Sequence, residues 1–92
     1  MFYTIYLIRS TKNGKEYVGF TRKSANKRLE EHNNGCNKWT RENRPFEMLY
    51  SENIESEMLA RKREKFFKTG KGRIVLNNVI KANNRHKHLI QA

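Results

Sequence analysis

The hydrophobic pattern at the start of the chain predicts a β-hairpin. Two segments rich in apolar and aromatic residues, 2–9 and 16–21, are separated by the turn sequence Lys12-Asn13-Gly14-Lys15. Asn-Gly between two apolar runs favours a type I′ turn, because that turn needs a positive φ at both central residues. The sequence therefore predicts two antiparallel strands joined by a two-residue loop.

This register brings two tyrosines to one face of the sheet, because it pairs Tyr6 with Thr21. Side chains alternate along a strand, so Tyr6 and Tyr17 project from the same face, and Gly19 belongs to that face as well. Since Gly19 has no side chain, we expect a hollow beside the phenols, where a substrate group approaches the backbone. The alternative is that the tyrosines only pack on a helix, as aromatic strand residues often do.

The remaining pattern predicts helices around one further strand. A first helix follows the N-cap Ser24 and ends before Gly35. The segment Phe46–Glu52 alternates apolar and polar residues and is predicted to be the third strand. A second helix is expected over about 54–68 and a shorter third helix over about 73–80.

The connections and the end of the chain complete the predicted layout. Asn53 is the expected N-cap of the second helix, and residues 36–45 are expected to form a basic loop. Residues 1–80 form one domain, followed by a basic, loosely ordered tail over 81–92. The predicted fold is α+β, with an antiparallel three-stranded sheet flanked by helices.

Composition narrows the classes of partner. Among 92 residues, 20 Lys and Arg face 9 Asp and Glu, a net charge of +11. A field of that sign attracts polyanions, chiefly DNA, RNA or an anionic membrane, and exceeds what solubility needs. The single Cys36 excludes an internal disulfide and suits a reducing, cytoplasmic compartment. The apolar start is too short for a spanning helix and lacks a preceding basic region, so we expect no signal peptide and no membrane anchor.

Several motifs occur in an order that resembles the GIY-YIG nuclease family. They are Thr4-Ile5-Tyr6 and Tyr17-Val18-Gly19, then Arg28 and His32, and much later Glu64. The resemblance covers about 1–79 and looks like the small, stand-alone, single-domain bacterial members, which are related to the N-terminal domain of the excinuclease C subunit. Thr4 stands where the family has glycine and Val18 where it has isoleucine, and both residues suit a strand.

The resemblance implies a metal-dependent DNA endonuclease. It assigns Tyr6 and Tyr17 to activation and positioning of the attacking water, and which of them is the base stays open. It assigns Glu64 as the sole carboxylate ligand of one Mg²⁺ or Mn²⁺ ion, which suits a cation that keeps most of its waters. Arg28 offers a planar fork to two phosphate oxygens. His32 lies four residues later, on the same face of the first helix.

Each of these residues also has a plain structural interpretation. Arg28 would be a solvated charge on a short helix, and His32 a surface residue beside it. Glu64 would pair with Lys68 four residues later, a contact that stabilises a helix by only a few tenths of a kcal/mol. Only the family motif favours the catalytic roles.

A second group of residues suits contact with DNA. Positive charge and an aromatic ring occur together in the predicted basic loop, at Lys38, Trp39, Arg41 and Arg44. This composition is typical of phosphate contacts combined with stacking on a base. We weigh a core position over the sheet equally for Trp39. The polar asparagine that follows the glutamate in the family has two candidates, Asn77 and Asn78.

The leading hypothesis is a DNA endonuclease that acts in repair, recombination or restriction-like processing. The alternative is a non-catalytic, basic nucleic-acid-binding module, and a weaker one is an RNA- or ribosome-associated factor. A nuclease needs the two tyrosines, Arg28 and Glu64 to converge beside Gly19, whereas a binding module does not. No separate DNA-binding domain is evident, so the protein would rely on the shape of duplex or branched DNA, use a protein partner, or cut DNA weakly and without specificity.

Overall fold

The computed structural model describes the backbone of residues 2–91 and the side chains of residues 2–84. Its elements are β1 (Tyr3–Ser10), β2 (Glu16–Thr21), α1 (Ala25–Asn33), α2 (Lys38–Asn43), β3 (Phe46–Ile54), α3 (Glu57–Phe67) and α4 (Gly70–Gln91). The strands form one antiparallel sheet in the order β2-β1-β3, which puts the first strand of the chain at its centre. The predicted α+β fold is confirmed.

Helices cover both faces of the sheet. The face from which Tyr6 projects, called the Tyr6 face below, carries a small buried cluster of Tyr6, Ile8 and Phe46. Leu29 of α1 and Trp39 of α2 pack against this cluster. The opposite face carries the larger core, in which strand residues meet α3 and α4, with buried members Ile5, Leu7, Val18, Ala60, Phe67 and Leu76. The site described below therefore lies over the smaller of two cores.

The hairpin register differs from the predicted one by two residues. Tyr6 pairs with Gly19 instead of Thr21, and Ile8 pairs with Tyr17. Because side chains alternate with a period of two, this shift leaves both tyrosines on one face, as predicted. It also brings the Tyr6 ring over Gly19.

The loop between Ser10 and Lys15 is longer than the two residues predicted, and this causes the shift. The Ser10 amide donates to the Lys15 carbonyl at 2.8 Å. The Ser10 hydroxyl accepts from the amides of Lys12 and Asn13 at 3.1 and 3.2 Å. Only Gly14, at φ 78°, has a positive φ in this loop, so the turn is not type I′. The hydrogen bonds to the Ser10 hydroxyl therefore stabilise a longer loop than the Asn-Gly sequence predicts.

The first helix forms as predicted, with Ser24 as its N-cap and Gly35 just beyond its end. The prediction of a loop over 36–45 is wrong, because this segment contains α2. A capping box stabilises its first turn: the Asn37 side chain accepts from the Thr40 amide at 2.9 Å, and the Thr40 hydroxyl accepts from the Asn37 amide at 3.0 Å.

The third strand is longer than predicted and does not alternate regularly. A β-bulge shifts its register against β1 between Leu7 and Ile8. As a result Met48 packs with the Tyr6 cluster, whereas Tyr50 packs against the core on the opposite face. An extra residue in one strand reverses the faces of the residues beyond it, which a period-two pattern does not anticipate.

The last two helices differ from the prediction at their ends. The N-cap of α3 is Ser56, whose hydroxyl accepts from the Leu59 amide, whereas Asn53 lies within β3. Helix α4 continues past the expected end near Ile80 to Gln91. The expected tail, 81–92, consists mostly of residues whose side chains lie outside the described part of the chain.

Among the residues that the structure describes, no helix is both long enough and apolar enough to cross a membrane.

Gly19 is needed at its position because of Tyr6. A Cβ at this residue would overlap Cζ and Oη of Tyr6 and would lie 2.8 Å from Cε1 of Tyr17. The predicted hollow beside the phenols is therefore absent, since the Tyr6 ring fills it. Gly19 is itself buried and offers no open surface for the predicted contact with DNA.

We expect Gly19→Ala to lower the free energy of unfolding by about 1–3 kcal/mol, because the added methyl group overpacks a filled space. Gly70→Ala is the matched control. An added Cβ at Gly70 meets nothing within 4 Å, so this change should be neutral or stabilise by about 0.4–1 kcal/mol. Urea denaturation measures both, and equal midpoints for the two variants would contradict the packing described here.

Candidate active site

The Tyr6 side chain lies at the centre of a polar cluster between the sheet and α1. Its hydroxyl lies 2.8 Å from Nε2 of His32, which the last turn of α1 supplies. Tyr6 is 1% exposed and His32 2% exposed, so neither polar group has water as an alternative partner. Each group satisfies the other and avoids the cost of an unpaired buried polar atom. Two residues predicted separately thus form one hydrogen-bonded pair.

Burial sets the protonation state of this pair. It raises the pKa of Tyr6 to about 12, although the neighbouring Arg28 guanidinium acts in the opposite direction. Burial also lowers the pKa of His32 below its usual value of 6.5, and the positive charge of Arg28 lowers it further. At pH 7 the pair is therefore an uncharged phenol sharing a hydrogen bond with an uncharged imidazole.

Arg28 lies beside Tyr6, one helical turn before His32. Its Nη1 donates to Glu31 at 2.9 Å, and Glu31 also pairs with Lys23. Lys23 and then Arg28 hold the pKa of Glu31 down at about 2. The Nε of Arg28 is buried and has no hydrogen-bond partner among the described residues. An unsatisfied buried donor costs about 1–3 kcal/mol, and a bound acceptor such as a phosphate oxygen would remove that cost.

Tyr17, on the edge strand β2, is the exposed member of the cluster. Its ring lies 6.3 Å from that of Tyr6, 6.0 Å from that of His32 and 5.7 Å from that of Trp39, measured between centroids. It is 37% exposed, in contrast to Tyr6. Of the two phenols predicted to share a site, only that of Tyr17 has surface open to water or a substrate.

Glu64 lies on α3, which packs on the opposite face, but Lys68 links it to the cluster. The Lys68 ammonium lies 3.2 Å from Oε2 of Glu64 and 5.2 Å from the centroid of the Tyr17 ring. The i,i+4 ion pair expected from the plain structural interpretation of Glu64 is therefore formed. The same contact shows that a positive charge is accommodated between Glu64 and Tyr17.

The donor set suits a hard metal ion held by few protein ligands. No group of three or more His, Cys, Asp or Glu that could hold a metal occurs in the described residues. Mg²⁺ commonly takes one or two carboxylates and keeps several waters, which leaves room for phosphate oxygens. Glu64, with 18% of its side chain exposed, is the carboxylate that the structure connects with Tyr17. These residues fit an ion bound mainly by water and substrate.

The residues predicted to contact DNA from the basic loop lie on or next to α2. Trp39 is half-buried and stacks on Phe46 with ring centroids 5.2 Å apart, so its ring covers the aromatic cluster. Three basic residues beside it are exposed: Lys38, Arg41 and Arg44. Trp39 therefore occupies the core position that was one of its two predicted alternatives. The three cations are exposed and can contact a phosphate backbone.

Three residues near the cluster were not predicted as site residues. Glu31 holds Arg28, and its i+3 spacing on the helix was an available signal. Lys68 was expected only as a partner of Glu64, and its contact with the Tyr17 ring depends on tertiary structure. Cys36 places Sγ 3.8 Å from Nδ1 of His32. The asparagine candidates, Asn77 and Asn78, are both exposed on α4.

Comparison with known proteins agrees with the geometry. The family model described as the GIY-YIG catalytic domain matches residues 2–78, a span that includes the whole cluster described above. No curated protein and no solved structure gives a significant match. Because the family match covers most of the 92 residues, this chain belongs to the GIY-YIG family of nucleases.

Proposed function

We propose that this protein is a metal-dependent endonuclease that hydrolyses phosphodiester bonds of DNA in repair, recombination or restriction-like processing. The observation that carries the proposal is the buried Tyr6–His32 pair beside Arg28, whose buried Nε has no hydrogen-bond partner among the described residues. A module that only binds DNA needs exposed cations and does not require Arg28 beside a phenol–imidazole pair. The exposed Tyr17 beside the pair gives the arrangement access to a substrate.

Arg28 is proposed to bind the phosphate that is cleaved. A guanidinium presents several N–H donors in a planar fork and can hold two phosphate oxygens at once. Its ion pair with Glu31 fixes the side chain on α1 before substrate arrives. A donor fixed in advance stabilises negative charge that develops in the transition state without reorganising.

The two phenols are proposed to have different roles. Tyr17, being exposed, holds the attacking water. In this structure the Tyr6 hydroxyl is covered, so the proposal requires that bound DNA shifts the neighbouring Tyr17 ring and admits the water. Tyr6 then takes a proton from that water while its own proton passes to Nε2 of His32, which is uncharged and 2.8 Å away. This relay needs no free phenolate, which the raised pKa of Tyr6 disfavours.

The proposed metal is one Mg²⁺ or Mn²⁺ ion, with Glu64 as its protein ligand. When bound, such an ion polarises the phosphate and stabilises the leaving oxygen. Lys68 now pairs with this carboxylate and would have to release or share it. The charge pattern supports the substrate class, since 20 basic residues face 9 acidic ones. Phosphate contacts from Lys38, Arg41 and Arg44 carry no sequence information, so specificity would come from DNA shape or a protein partner.

Removing the exposed hydroxyl of Tyr17 should impair cleavage more than it impairs DNA binding. We expect Tyr17→Phe to reduce the single-turnover cleavage rate by about 10²–10⁴, because the attacking water loses its positioning partner. Tyr3→Phe is the control, because Tyr3 stacks on Phe20 on the opposite face. Cleavage of labelled duplex, nicked, flapped and branched DNA measures both variants. Equal rates for wild type and Tyr17→Phe would exclude the role given to this residue.

Removing the proposed ligand charge should separate binding from cleavage. We expect Glu64→Gln to lose cleavage in Mg²⁺ while DNA affinity holds or tightens, because one repulsive charge is gone. Glu42→Gln is the control for the loss of one negative charge, since Glu42 also pairs with a lysine four residues away, Lys38, at a more exposed position. A Glu64→Gln variant that cuts as fast as wild type would overturn the metal assignment. If wild type cuts no DNA with Mg²⁺ or Mn²⁺, the non-catalytic binding module becomes the better account.

The relay also predicts how the rate depends on pH. His32 must be uncharged to accept a proton, and its pKa lies below 6.5. The rate should therefore hold as pH falls from about 8 to about 6.5 and decline only below that value. His32→Gln should be slower throughout and lack this decline. A wild-type midpoint above the ordinary histidine pKa would contradict the buried, neutral state.

A further inference from the structure

A cavity of about 440 Å³ adjoins the candidate active site on the Tyr6 face. Thr4 and Ser51 line it, together with Asn53 of β3 and the first turn of α1. Ser51 pairs with Tyr6 across the sheet, so the cavity lies on the same face as the phenol cluster and next to it. Phe2 also lines it and is 52% exposed. Cavities of about 300–1,000 Å³ with a few convergent polar groups are typical ligand sites.

Two cations border this cavity. Arg22 and Lys23 lie between β2 and α1, with 62% and 53% of their side chains exposed, and no residue that lines the cavity is acidic. Arg22 pairs with Glu57, and Lys23 with Glu31, at the surface. Exposed ion pairs of this kind are weak, so a phosphate group can compete for both cations.

Thr4 fixes the orientation of the Asn53 side chain. The Thr4 hydroxyl donates to Oδ1 of Asn53 at 3.0 Å, which leaves Nδ2 without a protein partner in the described part of the chain. Asparagine amides commonly recognise the edges of bases. Thr4 is also the residue that replaces the glycine of the family motif, so this contact depends on a feature particular to this sequence.

We propose that the cavity binds one unpaired nucleotide of the substrate strand, next to the phosphodiester that is cleaved. The base stacks on Phe2 and accepts a hydrogen bond from Nδ2 of Asn53, while its phosphate lies between Arg22 and Lys23. A base inside a duplex is stacked on both sides and cannot offer its face to an aromatic ring. The inference rests on the proposed function and adds to it a preference for DNA with a single-stranded segment at the cleavage site.

Binding under conditions that prevent cleavage tests this site. Wild type and variants are titrated, in EDTA, with a duplex and with the same duplex carrying a short single-stranded tail that contains 2-aminopurine. Phe2→Leu should weaken binding of the tailed DNA by about 5- to 150-fold, the range for loss of one stacked base, and leave duplex binding unchanged. Thr4→Val, which keeps the shape and removes the hydroxyl, should reduce the change in 2-aminopurine fluorescence on binding.

A matched pair of arginine variants separates the site from general charge. Arg22→Gln should weaken binding of tailed DNA more than Arg9→Gln, although each change breaks one exposed pair with a glutamate. The inference is overturned if wild type does not prefer tailed DNA, or if the cavity variants weaken both DNAs equally. Because Phe2 is exposed, its variant keeps the test valid if Thr4→Val fails to fold. A preference without any cleavage would overturn the proposed function but support the nucleotide site.

Discussion

The close packing of the Tyr6 ring on Gly19 is the contact on which the rest of the site depends. Tyr6 lies on the central strand, and only a residue without a Cβ at position 19 lets its ring pack this closely on the neighbouring strand. In this position the hydroxyl reaches His32 at the end of α1, and Tyr17 lies beside the same ring. The lack of a side chain at Gly19 thus allows Tyr6, His32 and Tyr17 to meet on one face of the sheet.

The site combines groups that a stable core would avoid. Burial keeps Tyr6 and His32 uncharged at pH 7, and it leaves one N–H of Arg28 without a partner among the described residues. Unsatisfied and strained groups tend to persist where function requires them. The larger core, on the opposite face, contains mainly aliphatic and aromatic residues and supports this arrangement. The small domain therefore has its larger core on one face and the phenol–imidazole cluster on the other, while Glu64 comes from α3 on the core side and is linked to the cluster through Lys68.

The sequence predicts the fold and the shared face of the tyrosines, because the period of two survives a register shift of two residues. It does not predict the register, since the Ser10 hydroxyl stabilises a longer turn than Asn-Gly alone indicates. The basic composition of 36–45 predicts a loop, whereas the spacing of Asn37 and Thr40 allows the capping box that starts α2. Two further features depend on tertiary contacts, which local patterns do not encode. They are the β-bulge and the contact of Lys68 with the Tyr17 ring.

The coupling between Tyr6 and His32 is the most direct test of this account. A double-mutant cycle of Tyr6→Phe and His32→Leu, measured as single-turnover cleavage rates with folding checked by urea denaturation, isolates their interaction. If the two residues act as one relay, the double variant is no slower than the slower single variant. Losses that multiply, as for two independent residues, would contradict the account.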